Sequence, residues 1–415
     1  MRFEIGFGTA PQIVTVPDSN MIGVLKSNEV VINIKGLAAV EAALARPIGS
    51  ALLRDIVKPG EKTVIITSDI TRPVPGHIII PAILDELRAA GADMSDVTVV
   101  FALGIHRKHT PEEMEKLVGQ NVYRQVNCLD SDPEDCIHFG TTELGTPVDI
   151  TRIVAEADRR IGVGNIEYHY FAGYSGGAKA IMPGVSTAAA IQSNHSRMIQ
   201  PDATAGRLQG NPVREDIESA MRLCPLDFIV NVVLDERKEV IHAVAGDAVM
   251  AHREGCKFLD SIYRCEIEAR ADIVIASQGG APKDLNLYQT QKALDNAKHA
   301  VKNGGVIILV GSCGEGLGEE VFQEWMTTSK DPASMIERIK REFQLGGHKA
   351  AAIAMVLEEA DIYLVSEMEP EFVKSIFLKP FKTVQEAFDA AIKKQGGNAS
   401  VLVMPYAGST LPVLR

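Results

Sequence analysis

The chain has 415 residues, a formal net charge of −12, 46% hydrophobic and 23% charged residues. That length exceeds what one hydrophobic core usually holds, so two domains are expected, and the acidic balance argues against a nucleic-acid partner while leaving room for a local Arg/Lys pocket for an anionic substrate. No apolar run is long enough to span a bilayer, the first residues lack the apolar core of a secretion signal, and the six cysteines contain no Cys-x-x-Cys pair, so the expectation is a cytoplasmic protein with reduced thiols, no membrane partner and no cysteine-built zinc site.

In chain order, the run Thr63-Val64-Ile65-Ile66-Thr67 predicts a buried strand, 78–90 a helix ended by Gly91, and 97–103 a second strand. Thr110-Pro111 then predicts a helix cap and first helical residue, and 160–163 a further strand. The pattern returns with strands at 272–276, 305–310, 361–365 and 400–404 and helices at 293–301 and 383–394. This alternation predicts an α/β fold: two α/β domains with largely parallel sheets around an interdomain cleft, spanning 1–267 and 268–415.

Ligands of open parallel sheets bind beyond the carboxyl ends of the strands, so the residues following each strand are the candidates. After the first strand stands Ser68-Asp69-Ile70-Thr71-Arg72-Pro73. It is either a turn with an Asp cap and a surface Arg, or a site in which Arg72 forks onto a carboxylate and Asp69 orients a ligand hydroxyl. After the second comes Gly104-Ile105-His106-Arg107-Lys108-His109, where His106 suits acid/base work and His109 belongs with a solvated basic loop.

The densest segment runs from Asn165 through His169, Tyr174, Ser175, Gly176 and Gly177 to Lys179. Its glycines would let the backbone approach a ligand, and Gly-Gly-x-Lys suggests a phosphate contact at Lys179 or, if the amine is desolvated, a nucleophile; the P-loop spacing is absent. His195 reads as a helix-start histidine, and any metal held there would need its other ligands from a cofactor. In the second domain Gln289 and Lys292 lie three apart, on one face if helical, either as an exposed helix start or as an amide and ammonium for a carboxylate. Gly311-Ser312-Cys313-Gly314 reads as a turn rather than a catalytic cysteine.

Together, Asp69-x-x-Arg72, Gly104-x-His106-Arg107, His169 and His195 on either side of Lys179, and Gln289-x-x-Lys292 resemble the nickel-dependent lactate racemase family. The resemblance implies an N-terminal cofactor-binding and catalytic domain and a C-terminal domain contributing to substrate binding. It implies a nickel-pincer nucleotide, a pyridinium-3,5-bisthiocarboxylic acid mononucleotide carrying Ni(II), joined to Lys179 and lying against Asp69 and Tyr174–Gly177, with His195 as the protein ligand of nickel. It implies His106 and His169 as the two acid/base residues, and Arg72, Gln289 and Lys292 as holders of the substrate carboxylate. The family carries an aromatic residue where this chain reads Gly346-Gly347-His348-Lys349-Ala350, which implies a more polar pocket.

The expected activity is racemisation of small 2-hydroxy acids by hydride transfer, with proteins of cofactor synthesis as partners for loading; protein made without that synthesis would be apo. Two other readings stand beside it. A nicotinamide-dependent 2-hydroxy acid dehydrogenase would need a Gly-x-Gly-x-x-Gly after the first strand, which is missing. A non-catalytic organic-acid or nucleotide binder would not need two histidine bases.

Overall fold

The structure, a computed structural model, describes residues 1–415. Contacts divide the chain into two compact units, one of residues 30–261 and one of residues 1–29 with 262–415.

The 30–261 unit is built on a six-stranded sheet in the order Val240–Gly246, Phe228–Leu234, Arg159–Asn165, Thr63–Ser68, Val97–Ala102, Asn127–Asp130. All neighbours are parallel except the edge strand Val240–Gly246. Ile65, Val99, Phe101, Ile161 and Val230 are fully or almost fully buried, as expected of continuous apolar strands covered on both faces. The helix Gly76–Ala89 follows the first strand and ends before Gly91, which takes φ +82°. The helix Pro111–Val118 starts on a capping box, with Thr110 and Glu113 each bonding the other's backbone N–H. The strand order sets Arg159–Asn165, Thr63–Ser68 and Val97–Ala102 side by side, so the segments beginning at 166, 69 and 103 leave the same sheet edge together.

The other unit carries an all-parallel sheet in the order Lys379–Phe381, Asp361–Val365, Val301–Val310, Ala271–Ser277, Val401–Met404, Met21–Val24. Its last strand corrects the expected division at 267–268: residues 1–29 group with the C-terminal residues, because Met21–Val24 pairs with Val401–Met404 and extends that sheet by one edge. A short strand whose partner is so distant in sequence leaves no local signal. The helix expected at 293–301 runs instead over Leu287–Ala297 behind the cap Asn286, and Val301 already begins a strand. Its first turns were misread because Thr290 and Gln291 are polar yet buried. No helix of either unit is long and apolar enough to cross a membrane.

Candidate active site

The sheet edge of the 30–261 unit collects the chemistry. Asp69 follows Thr63–Ser68, and its Oδ2 contacts Nδ1 of His106, which follows Val97–Ala102. Asp69 Oδ1 accepts from Thr71 Oγ1 at 2.8 Å, and the Arg72 N–H closes the turn on the Asp69 carbonyl at 3.1 Å. Burial pushes the Asp69 carboxyl upward, but the His106 hydrogen bond and charge, the Thr71 hydroxyl and the Arg72 charge outweigh it, so the pKa lies below the usual carboxylate range. An ionised Asp69 only accepts, so His106 carries its proton on Nδ1 and presents Nε2 outward as a base. Arg72 is exposed beside this pair.

His169 lies on a small hairpin in which it pairs with Gly173. Its Nδ1 accepts from the Ala172 N–H at 3.3 Å. Phe171 stands between two histidine rings, 4.5 Å from His169 and 5.0 Å from His195, edge-on to both. Burial first, and then nearby positive charge that includes Arg72 and Arg214, hold the His169 pKa well below the usual histidine value, so the ring is neutral at pH 7. Lys179 sits in the short turn Gly177–Ala180. Part of its side chain reaches solvent, yet burial leads, with Arg214 and Arg72 adding to it and Glu167 opposing, in pushing its pKa well below the usual lysine value. A neutral amine is nucleophilic.

His195 is not at a helix start. It is the last residue of the helix Ala188–His195, which Thr187 caps, and it is buried. Its Nδ1 meets Asn194 Oδ1 at 2.9 Å, so Nδ1 carries the proton. The loop around Gly104 is tied in as well, its N–H reaching the Gly184 carbonyl at 3.0 Å, while the Gly184 N–H reaches the Lys179 carbonyl at 3.1 Å.

The Gly-rich loop is shaped by residues the sequence did not single out. The buried Arg214 guanidinium bonds the carbonyls of Ala172 at 3.2 Å, Gly176 at 3.5 Å and Tyr174. Asn211, which caps the helix Pro212–Leu223, holds the Phe171 carbonyl at 2.9 Å. Asn231 Oδ1 accepts from the Gly177 N–H at 2.7 Å, and His252 Nε2 donates to the Ser175 carbonyl at 2.7 Å. Gly176 and Gly177 have φ of +74° and +59°, and a Cβ on them would meet Asn231 Oδ1 at 2.7 Å and the His252 ring at 2.8 Å. These two glycines therefore make room for protein neighbours, where the sequence suggested room for a ligand. Tyr174 and Ser175 also hold the loop, the first donating to Asp260 at 2.8 Å and the second to the Asn165 carbonyl at 2.7 Å. An Asn before a Pro is a helix-cap signal that could have pointed to Asn211; the buried Arg214 and His252 carried no signal.

His109 departs from its expected place. It is buried, pairs with Asp130 at 2.6 Å and touches Ile70, rather than lying in a solvated loop. In the other unit, Gln289 is half-buried and Lys292 exposed on the first turns of Leu287–Ala297. Cys313 is buried with its thiol pushed up to about 12 by burial, which leaves the turn reading in place. His348 and Lys349 are buried, and Lys349 Nζ donates to the Tyr288 carbonyl at 2.6 Å. No group of three or more His, Cys, Asp or Glu side chains is arranged to hold a metal ion.

The chain matches known proteins over nearly its whole length. Residues 7–206 match the family model for the lactate racemase N-terminal domain and residues 267–411 that for the lactate racemase C-terminal domain. The lactate racemase of Thermoanaerobacterium thermosaccharolyticum is 34% identical over 99% of both chains, and that of Lactiplantibacillus plantarum is 34% identical over 88% of both. The solved structure of the Thermoanaerobacterium lactate racemase apoprotein superposes with a TM-score of 0.90, covering 100% of each chain. A Thermotoga maritima protein at 17% identity and TM-score 0.65, covering 92% of this chain and 100% of its own, shares the fold. With both domain models matched and a relative aligned end to end, this chain belongs to the lactate racemase family and is an isomerase.

Proposed function

We propose that this chain racemises lactate and other small 2-hydroxy acids, working with a nickel-pincer nucleotide joined to Lys179. The observation that carries the reading is one sheet edge bearing a carboxylate-backed His106, a neutral His169 and a desolvated Lys179 amine. The donor set suits such a group. The chain offers no three-residue cluster for a bare metal, so nickel held through His195 takes its remaining ligands from the group itself. Lys179 is the point of attachment, with Asp69 and the backbone of Tyr174–Gly177 as its seat. When bound, the group supplies a hydride acceptor and donor for C2 of the substrate.

The chain's own residues manage the carboxylate and the hydroxyl proton. Arg72 forks onto the substrate carboxylate. When His169 is the base, His106 is the acid, and Asp69 at its Nδ1 balances the imidazolium that this role requires, while His169 starts neutral. The 3.3 Å contact from the Ala172 N–H to His169 Nδ1 is long, so that ring can hold its proton on either nitrogen. His169 takes the hydroxyl proton of one enantiomer on Nε2. Once C2 has been rebuilt on its other face, His106 returns a proton to the same oxygen from Nε2. The opposite enantiomer is processed with the two roles exchanged, and no proton is gained or lost in the cycle.

The test is turnover of lactate deuterated at C2 by cofactor-loaded protein. The label should slow the rate and stay in the product. Early wash-out of the label into water would mean direct proton abstraction and would overturn the reading.

A further inference from the structure

The segment that carries His106 also carries His109, which forms a second histidine–carboxylate pair with Asp130. The His109 side chain is 1% exposed and that of Asp130, which ends the neighbouring strand Asn127–Asp130, is 8% exposed. Asp130 takes both N–H groups that His109 can direct at it, the backbone N–H on Oδ2 at 2.8 Å and Nδ1 on Oδ1 at 2.6 Å. The ring also packs against Phe101 at 5.2 Å. With its proton fixed on Nδ1, the ring has one acceptor left, and Nε2 receives the backbone N–H of Ile70 at 3.0 Å.

Ile70 is the residue after Asp69, so this bond sets the peptide plane from which the Asp69 side chain departs. The 103–109 segment thus grips the 69–72 turn twice, at the carboxylate through His106 and at the backbone through His109. A loop amide at a sheet edge ordinarily takes a water; here it takes a buried, oriented imidazole. We propose that His109, held by Asp130, is a positioning residue that fixes Asp69 against His106. The role rests on the reading of His106 as an acid/base residue.

Two substitutions separate the contacts. In His109→Asn the amide nitrogen overlays Nδ1 and still donates to Asp130, but nothing reaches the Ile70 N–H. In His109→Gln the amide oxygen falls near Nε2 and accepts that N–H. The His109→Asn enzyme, loaded with cofactor, should lose roughly tenfold or more in kcat with KM changed about twofold at most, since small misplacement of a catalytic group is costly. The His109→Gln enzyme should stay within about threefold of the parent in both. In unloaded protein with labelled histidine, nuclear magnetic resonance should show the His106 Nδ1–H signal displaced in His109→Asn and restored in His109→Gln.

Unchanged kcat and an unchanged His106 signal in His109→Asn would overturn the proposal, as would equal losses of kcat in the two variants. The parent protein supplies a measurement that does not depend on either variant folding: the Ile70 amide should exchange slowly with solvent, and exchange at the rate of an open loop amide would overturn it too. Failure of the acid/base reading looks different. There, His106→Gln would keep racemising while the Ile70 protection and the His106 signal shift persisted.

Discussion

Arg214 donates to the Tyr174 carbonyl from full burial, placing a guanidinium charge under the loop that leads into Lys179. The Arg214 partners in that loop are carbonyls, so its charge is felt by the lysine, whose pKa it helps to depress after burial itself. Lys179 should therefore react with an amine-directed acylating reagent at pH values where exposed lysines are still protonated. Competitive labelling read by mass spectrometry should place its midpoint well below that of the exposed Lys302 and Lys374, and Arg214→Gln should move it upward. A Lys179 midpoint equal to theirs in the parent protein would remove the neutral-amine argument.

The second expectation concerns attachment and metal separately. Lys179→Ala should abolish the covalent adduct in the intact mass of loaded protein, with little effect on melting, because burial already disfavours the charged amine. His195→Ala should keep the adduct and lose nickel, if His195 is the protein ligand of the metal as proposed. Loss of a ligand should weaken the site at least as much as loss of an outer-shell partner does, roughly tenfold or more. Full nickel stoichiometry in purified His195→Ala would contradict the assignment.

How much of this was legible in the sequence follows from which contacts are local. The strands 63–67, 97–103 and 361–365 and the Thr110–Glu113 cap were readable because each rests on a short apolar run or a side chain bonding its own neighbours. Asp69, His106 and Lys179 were findable because strand ends are the natural place for a site. The Met21–Val24 pairing and the burial of His109, Arg214 and His252 were not. Each depends on a partner far along the chain: Val401–Met404 for the strand, Ile70 and Asp130 for His109, the 172–176 carbonyls for Arg214 and Ser175 for His252. The packing behind the loop glycines was hidden for the same reason, because Asn231 and His252 come from elements that follow the loop by tens of residues.

Acid stability should report the histidines whose pKa the fold depresses. His299 is held down to about 3 by burial and then by the charges of Lys298 and Arg270. His252 is held well below its usual value by burial and Arg214, against the Ser175 carbonyl bond. A histidine with a depressed folded pKa binds its proton only in the unfolded chain once the pH falls below about 6.5, so stability is full above that pH and is lost as the pH falls. Each such residue contributes a slope of about 1.4 kcal/mol per pH unit between its unfolded and folded values. Urea unfolding at pH 7.5 and at about pH 5.5 should show this loss, and His299→Gln should be less sensitive than the parent over the same interval. An equal pH dependence in the two proteins would show that His299 is protonated in the folded state.

The last expectation tests the division of labour between the two histidines. In the structure they are unlike: His106 has an ionised carboxylate at Nδ1, whereas His169 has the long Ala172 contact and a strongly depressed pKa. His106→Ala and His169→Ala should each abolish full racemisation, because every turnover needs one ring to take the hydroxyl proton and the other to return it. The half-reaction should survive selectively. His106→Ala retains the neutral base and should oxidise the enantiomer whose hydroxyl faces His169, and His169→Ala should oxidise only the other. Rapid mixing of loaded variants with pure D- and pure L-lactate, followed by trapping of the 2-keto acid, should give opposite preferences. The residual His106 of the His169→Ala enzyme should also lose its reactivity when Asp69 is changed to Asn, because the neutral amide no longer balances an imidazolium. The same half-reaction preference in both variants, or full racemisation by either, would mean that one histidine serves both faces and that the pair is not a two-sided base.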